Sequence, residues 1–156
     1  MIVAPAFKTL RILAIATLAA APAIAAAPTP QSIVNARMAG MKKMGGAMKA
    51  IGEQLKTGAP DKAIVTAAAQ TLTATAKAQG KLFPANTRPA AGLKTDALPA
   101  IWTDRKTFDA DMAKLVSEST KLAAVAGTGD TATTGAQMKA VGATCGACHR
   151  QFRAED

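Results

Sequence analysis

Apolar side chains recur every three or four residues along most of the chain, and this spacing predicts α-helices. Four such segments follow a first apolar stretch, and no convincing strand pattern accompanies them. Capping residues and glycines set the expected bounds. We predict helices from Ser32 (as N-cap) to Lys56, from Pro60 to about Leu82, from Thr103 or Asp104 to Ala126, and from Asp130 to Arg153.

Two of the three predicted connections are short, and one is long. The long one runs from Phe83 to Trp102, and Pro84, Pro89 and Pro99 exclude a continuous helix there. Short connections make successive helices antiparallel neighbours. The fold class expected is therefore all-α, an antiparallel up-down-up-down four-helix bundle with room for a cofactor in its core.

The first stretch of the chain is typical of a secretory signal peptide. Lys8 and Arg11 precede an apolar run, Ile12 to Ala26, and Ala23-Ile24-Ala25 offers a small-residue cleavage site. An uncleaved membrane anchor is the alternative, but the run is short for a span. We predict a signal peptide over 1–25, a four-helix-bundle domain over 26–156 and a periplasmic location in a Gram-negative bacterium, with no membrane contact after cleavage.

The motif that carries the chemistry is Cys145-Gly146-Ala147-Cys148-His149, which holds both cysteines and the only histidine of the chain. This CxxCH spacing is the attachment signature of a c-type haem. On a helix, Cys145, Cys148 and His149 fall on one face. Two thioether bonds and one axial imidazole can therefore reach the same flat macrocycle, so we predict one covalent haem c with its iron.

Three simpler interpretations of the motif explain the sequence less well. A structural zinc site needs four ligands, and the motif offers three. A lone disulfide would not need His149 beside it. A thioredoxin-like redox pair belongs at the start of a helix in a β/α unit, and no alternating strand pattern is present.

The formal net charge is +9, and removal of Lys8 and Arg11 lowers it by two. A basic chain raises the possibility of nucleic-acid binding. Aromatic residues make up only 3% of the chain, however, and no run of Lys and Arg exceeds two residues, so the stacking platforms of nucleic-acid binders are missing. We predict no nucleic-acid partner. A basic surface would instead attract acidic redox partner proteins.

A CxxCH motif on the last of four helices resembles the class II c-type cytochromes, the cytochrome c-prime family. The similarity covers essentially the whole mature chain. Four further segments carry it, namely Val34–Arg37 with Met41, Ile51-Gly52, Ile101–Asp104 and Phe152-Arg153.

The resemblance implies roles for residues outside the motif. Arg37 would approach a haem propionate, and Met41, four residues later, would face the open side of the iron opposite His149. In the gas-binding branch of the family, the arginine that matches Arg153 lies beside the proximal imidazole. Trp102, the only tryptophan, is a candidate for contact with the haem edge. A solvated charge is the alternative for Arg37, plain packing for Trp102, and a helix-end cation for Arg153.

The family has a high-spin branch that binds nitric oxide or carbon monoxide and a low-spin branch in which a methionine is the sixth ligand. Lys81-Leu82-Phe83-Pro84 resembles a run in the low-spin branch. Thioether sulfur is a recognised axial donor to haem iron. The resemblance therefore favours Met41 as distal ligand, with core packing as its alternative and Met44 and Met38 as weaker ligand candidates.

These inferences lead to one preferred function and two alternatives. The preferred function is a soluble periplasmic single-electron carrier with His149/Met41 ligation. A five-coordinate protein that binds nitric oxide or carbon monoxide is the first alternative. A peroxidase is the weaker one, because no second histidine could serve as distal acid and base. No catalytic constellation is visible, so we predict that the protein is not an enzyme. A homodimer through the first two helices is left open.

Overall fold

The computed structural model describes residues 27–90 and 92–155, so the predicted signal peptide lies outside the described residues. The described parts are helical, without a strand but with one isolated β-bridge between Ala97 and Arg153. No described helix is long and apolar enough to cross a membrane. The helices are α1 (Pro30–Lys56), α2 (Lys62–Gln79), a short α3 (Ala100–Thr103), α4 (Arg105–Thr128) and α5 (Thr131–Phe152).

Aspartates cap three of the four long helices. The Asp61 carboxylate accepts from the backbone of Ala63 and Ile64, and Asp104 and Asp130 cap α4 and α5 in the same way. The predicted N-cap Ser32 is wrong. The N-cap is Thr29, three residues earlier, because its side chain accepts from the Ser32 backbone and Pro30 provides the fixed φ that suits a first helical position.

The four long helices form an antiparallel bundle, which confirms the predicted fold class. α1 packs along α2, α2 along α4, and α4 along α5, whereas α1 and α5 touch only sparsely. The buried stripe of each helix faces the common core, and each stripe has the helical spacing of the sequence. The sparse α1–α5 contact leaves this side of the bundle open for a bound group.

The long connection from α2 to α4 covers one end of the bundle. Its first residues form two 3₁₀ turns, Gly80–Leu82 and Ala85–Thr87, so α2 ends before the predicted Leu82. Phe83, from this connection, is buried and contacts the ring of Phe108 at 4.7 Å between centroids. The connection is therefore part of the core.

Gly40 in α1 permits a close contact with α2. The Gln79 side chain is buried, and its amide occupies the position that a β-carbon on Gly40 would take. Gly40→Ala should therefore lower the free energy of unfolding by about 1–3 kcal/mol, since overpacking forces the neighbour or the backbone to move. The midpoint of urea unfolding of the haem-loaded protein measures this effect.

Gly46→Ala is the matched control, because Gly46 is exposed on the same helix and no described atom lies within 4 Å of a β-carbon there. It should raise the free energy of unfolding by about 0.5–1 kcal/mol, the helix-propensity difference alone. Equal midpoints for the two variants would show that the Gly40 contact carries no stability.

Candidate haem site

Cys145, Cys148 and His149 lie near the end of α5, where the helical spacing directs them to one side. Both thiols are free and half-buried, and they pack against the hydrophobic core. His149 is the more exposed of the three. The structure therefore brings the predicted attachment residues to the edge of the core, beside the open α1–α5 side of the bundle.

Two cavities meet at this point. The first has a volume of about 450 Å³ and the second of about 280 Å³. Met41, Cys148 and His149 line both of them. Their combined volume lies in the range of small-molecule and cofactor sites.

The second cavity extends into the bundle beside Cys145. Its wall is mostly apolar, and methionine is the commonest side chain in it. Flexible thioether side chains fill irregular space and adapt to a guest. The core-facing part of the wall consists of Met41, Met44, Met48, Leu72, Met112 and Leu115.

Arg37 lines the first cavity and is almost completely buried, with 3% of its surface exposed. Its Nη2 donates to Thr95 Oγ1 at 3.2 Å, and the guanidinium lies 4.4 Å from the Phe83 ring centroid. Nη1 is buried and has no hydrogen-bond partner among the described residues. Burial lowers the pKa of Arg37 from its usual value.

A buried cation with an unused donor is costly unless an anion completes its hydrogen bonding. A haem propionate is such an anion, and Arg37 shares its cavity with Cys148 and His149. The residues present therefore fit haem. The same donor would be hard to explain if the cavity took only an apolar guest.

The titration of the motif residues also suits haem attachment better than thiol redox chemistry. Burial, with smaller contributions from Asp111 and Cys145, raises the pKa of the Cys148 thiol to about 11. A reactive redox thiol usually has a lowered pKa. Burial, and then the charge of Arg153, lowers the pKa of His149 and favours the neutral imidazole that can ligate a metal.

The two remaining predicted site residues, Arg153 and Trp102, differ in their position relative to the cavities. Arg153 is exposed and lines the first cavity beside His149. Trp102 lines neither cavity. Its ring packs 6.4 Å from that of Phe83, and its Nε1 donates to the Phe83 and Pro84 carbonyls at 3.2 Å. The haem contact of Trp102 thus stays a prediction.

Sequence reasoning missed Thr95, Asp96 and Asp111, which line the cavities. Thr95 and Asp96 belong to the long connection, where no periodic pattern indicates which side chains face inward. Asp111 lies in α4 next to the buried Met112 and could have been noticed only as a carboxylate beside an apolar stripe. Half-buried, it is an acidic group within a mostly apolar wall.

A four-helix bundle with CxxCH at the end of its last helix, beside a cavity lined by a buried arginine with one unused donor, defines a class of c-type haem proteins. Comparison with known proteins specifies the family. A family model described as Cytochrome C' matches residues 32–153. The chain belongs to this family, and its cofactor is one covalent haem c with iron.

Proteins of two kinds, named cytochrome c' and cytochrome c-556, are similar to the chain. Cytochrome c' of Rhodospirillum rubrum is 36% identical over 148 residues, which cover 93% of this chain and 99% of the relative. Cytochrome c-556 of Agrobacterium tumefaciens is 39% identical over 121 residues, which cover 76% and 92%. Both matches extend over most of the described bundle.

Solved structures agree with the fold. A cytochrome c' with ligand-controlled dimer dissociation has a TM-score of 0.77 and 30% identity, covering 83% of this chain and all of that one. The nitric oxide complex of a cytochrome c prime variant from Alcaligenes xylosoxidans has a TM-score of 0.72 and 28% identity, covering 81% and 97%.

These comparisons do not support assignment to the low-spin, methionine-ligated branch. The family model and the relative aligned over 93% of this chain have the name cytochrome c'. Residue type alone could not decide between the low-spin and the high-spin branch, because a methionine at position 41 suits ligation and apolar shielding equally well.

Proposed function

We propose that the chain is a periplasmic haem protein that binds nitric oxide or carbon monoxide on the open face of a five-coordinate iron. The observation that carries this proposal is the mostly apolar wall of the second cavity beside His149, where Met44, Met48 and Leu72 would border the bound ring. An apolar pocket admits a small uncharged gas and disfavours water and ions. The nitric oxide complex of a similar protein supports the same function.

Three residues of the motif and Arg37 have a role in this proposal. Cys145 and Cys148 form the thioethers, His149 is the proximal ligand, and Arg37 uses its free donor on a propionate. When bound, the haem supplies the iron that takes the gas. The protein orients the group, supplies one axial nitrogen and keeps the other face dry.

Met41 is proposed to shield the open face instead of ligating the iron. Its side chain is half-buried and lines both cavities together with His149. A thioether side chain can move aside for a guest because it has several rotatable bonds. The same position would also serve ligation, so a measurement has to separate the two roles.

The absorption spectrum of the reduced protein tests this function. We expect a high-spin ferrous spectrum that changes on addition of carbon monoxide, because no sixth ligand must be displaced. Myoglobin, which is five-coordinate when reduced, and a low-spin cytochrome c serve as references. A low-spin spectrum that carbon monoxide leaves unchanged would overturn the gas-binding proposal and restore the electron carrier.

Location and partners belong to the same proposal. Covalent haem c and the signal-like residues 1–25 support export, and the amino-terminal residue of protein from the periplasmic fraction tests it.

Lys139 and Arg150 on α5 have no acidic neighbour on that helix, which supports an acidic redox partner. The dimer of a similar protein supports a homodimer, which sedimentation with and without carbon monoxide would detect.

A further inference from the structure

The sparse contact between α1 and α5 has a regular form, in which a glycine on one helix faces a long side chain on the other. A β-carbon placed on Gly52 would lie 3.1 Å from Met138 Cε, and one on Gly142 would lie 4.0 Å from Met48 Cε. The three pairs, in order towards the haem site, are Leu55 with Gly135, Gly52 with Met138, and Met48 with Gly142.

The pairs follow a fixed antiparallel register. Each step of three or four residues back along α1 is matched by an equal step forward along α5. The next step of three from Met48 and Gly142 reaches Gly45 and Cys145, and a further step of four reaches Met41 and His149. Gly45, Met41, Cys145 and His149 all line the second cavity, as this register requires.

We call this contact between α1 and α5 the seam. Gly45 differs from Gly52 and Gly142, the glycines further along it. Gly52 and Gly142 are each filled by a methionine methyl from the opposite helix, whereas no described atom lies within 4 Å of a β-carbon on Gly45. By the register, the residue opposite Gly45 is Cys145, whose side chain is short. Gly45 is exposed, so the seam is open to solvent at the level of the first attachment cysteine.

We propose that Gly45 is a haem-binding position: the missing side chain makes room for the edge of the ring that is bonded to Cys145. The proposal rests on the proposed attachment at Cys145 and Cys148. Met48 and Gly142, the next pair along the seam, line the second cavity together with Gly45. A side chain at position 45 would therefore compete with the ring for the same volume.

The test compares Gly45→Leu with Gly46→Leu in the protein expressed with its haem-attachment machinery. Both changes add the same side chain to the same turn of α1, but Gly46 does not line either cavity. We expect the haem-to-protein ratio of Gly45→Leu to fall several-fold, or its ferric and ferrous spectra to shift. Gly46→Leu should keep the wild-type ratio and spectra. Gly45→Ala, with a smaller side chain, should keep the haem and show a smaller spectral shift.

Circular dichroism at 222 nm separates lost haem binding from lost folding, and Gly45→Ala remains informative if Gly45→Leu does not fold. Wild-type haem content and spectra in both Gly45 variants would overturn the proposal. Equal loss in the Gly45 and Gly46 leucine variants would also overturn it, since the effect would then belong to the helix. Wild-type protein without covalent haem would instead refute the attachment itself.

Discussion

A variant with both Cys145 and Cys148 replaced by alanine is expected to contain no covalent haem. The two thiols are the only ones in the chain, and both lie beside the cavities that we assign to the ring. Intact mass measures the effect, because wild-type protein should exceed the mass of the processed chain by one haem and the variant should not. Acid–acetone extraction should leave the colour on the wild-type polypeptide only.

Ala147→Ser is the matched control, since Ala147 lies within the same motif but is exposed and lines neither cavity. It should keep both the added mass and the colour. Haem that leaves the wild-type chain with the solvent would contradict covalent attachment at these cysteines.

The helices were predictable because their residues repeat one physical pattern. In α4, Phe108, Met112, Leu115 and Leu122 are spaced for one helical face and are all buried. The start of α1 was misplaced, because Ser32 and Thr29 are both good caps and only Pro30 at the first helical position distinguishes them. Local signals thus located the helices better than their ends.

The site was predictable only where a motif or a helical face defined it. Cys145, Cys148 and His149 follow from spacing on α5, and Arg37 stands out because a charge lies in line with the apolar face of α1. Thr95, which bonds to Arg37, comes from a connection without periodicity, and only the folded chain brings it there. Spin state depends on how far Met41 is from the iron, which no residue type encodes.

Met41→Ala should have the largest effect on gas binding. The side chain lines both cavities beside His149, and the seam register pairs it with that residue. Truncation removes the group that shields the open face, so carbon monoxide should bind the reduced protein faster. A barrier lower by about 1.4 kcal/mol corresponds to a tenfold increase in rate, and we expect at least that. Stopped-flow or flash photolysis measures the association rate constant.

Met138→Ala is the control, because Met138 is half-buried but lines neither cavity and packs against Gly52 of α1. Its association rate should stay within about threefold of wild type, a change in barrier of well under 1.4 kcal/mol.

If Met41 were a ligand, wild-type iron would be low-spin, and Met41→Ala would make it high-spin and create gas binding where there was none. That result would reject shielding and assign electron transfer, because His149 and Met41 would then hold the iron in both oxidation states. An unchanged rate with unchanged high-spin spectra would show that Met41 only packs in the core, and gas access would then depend on the remaining cavity wall.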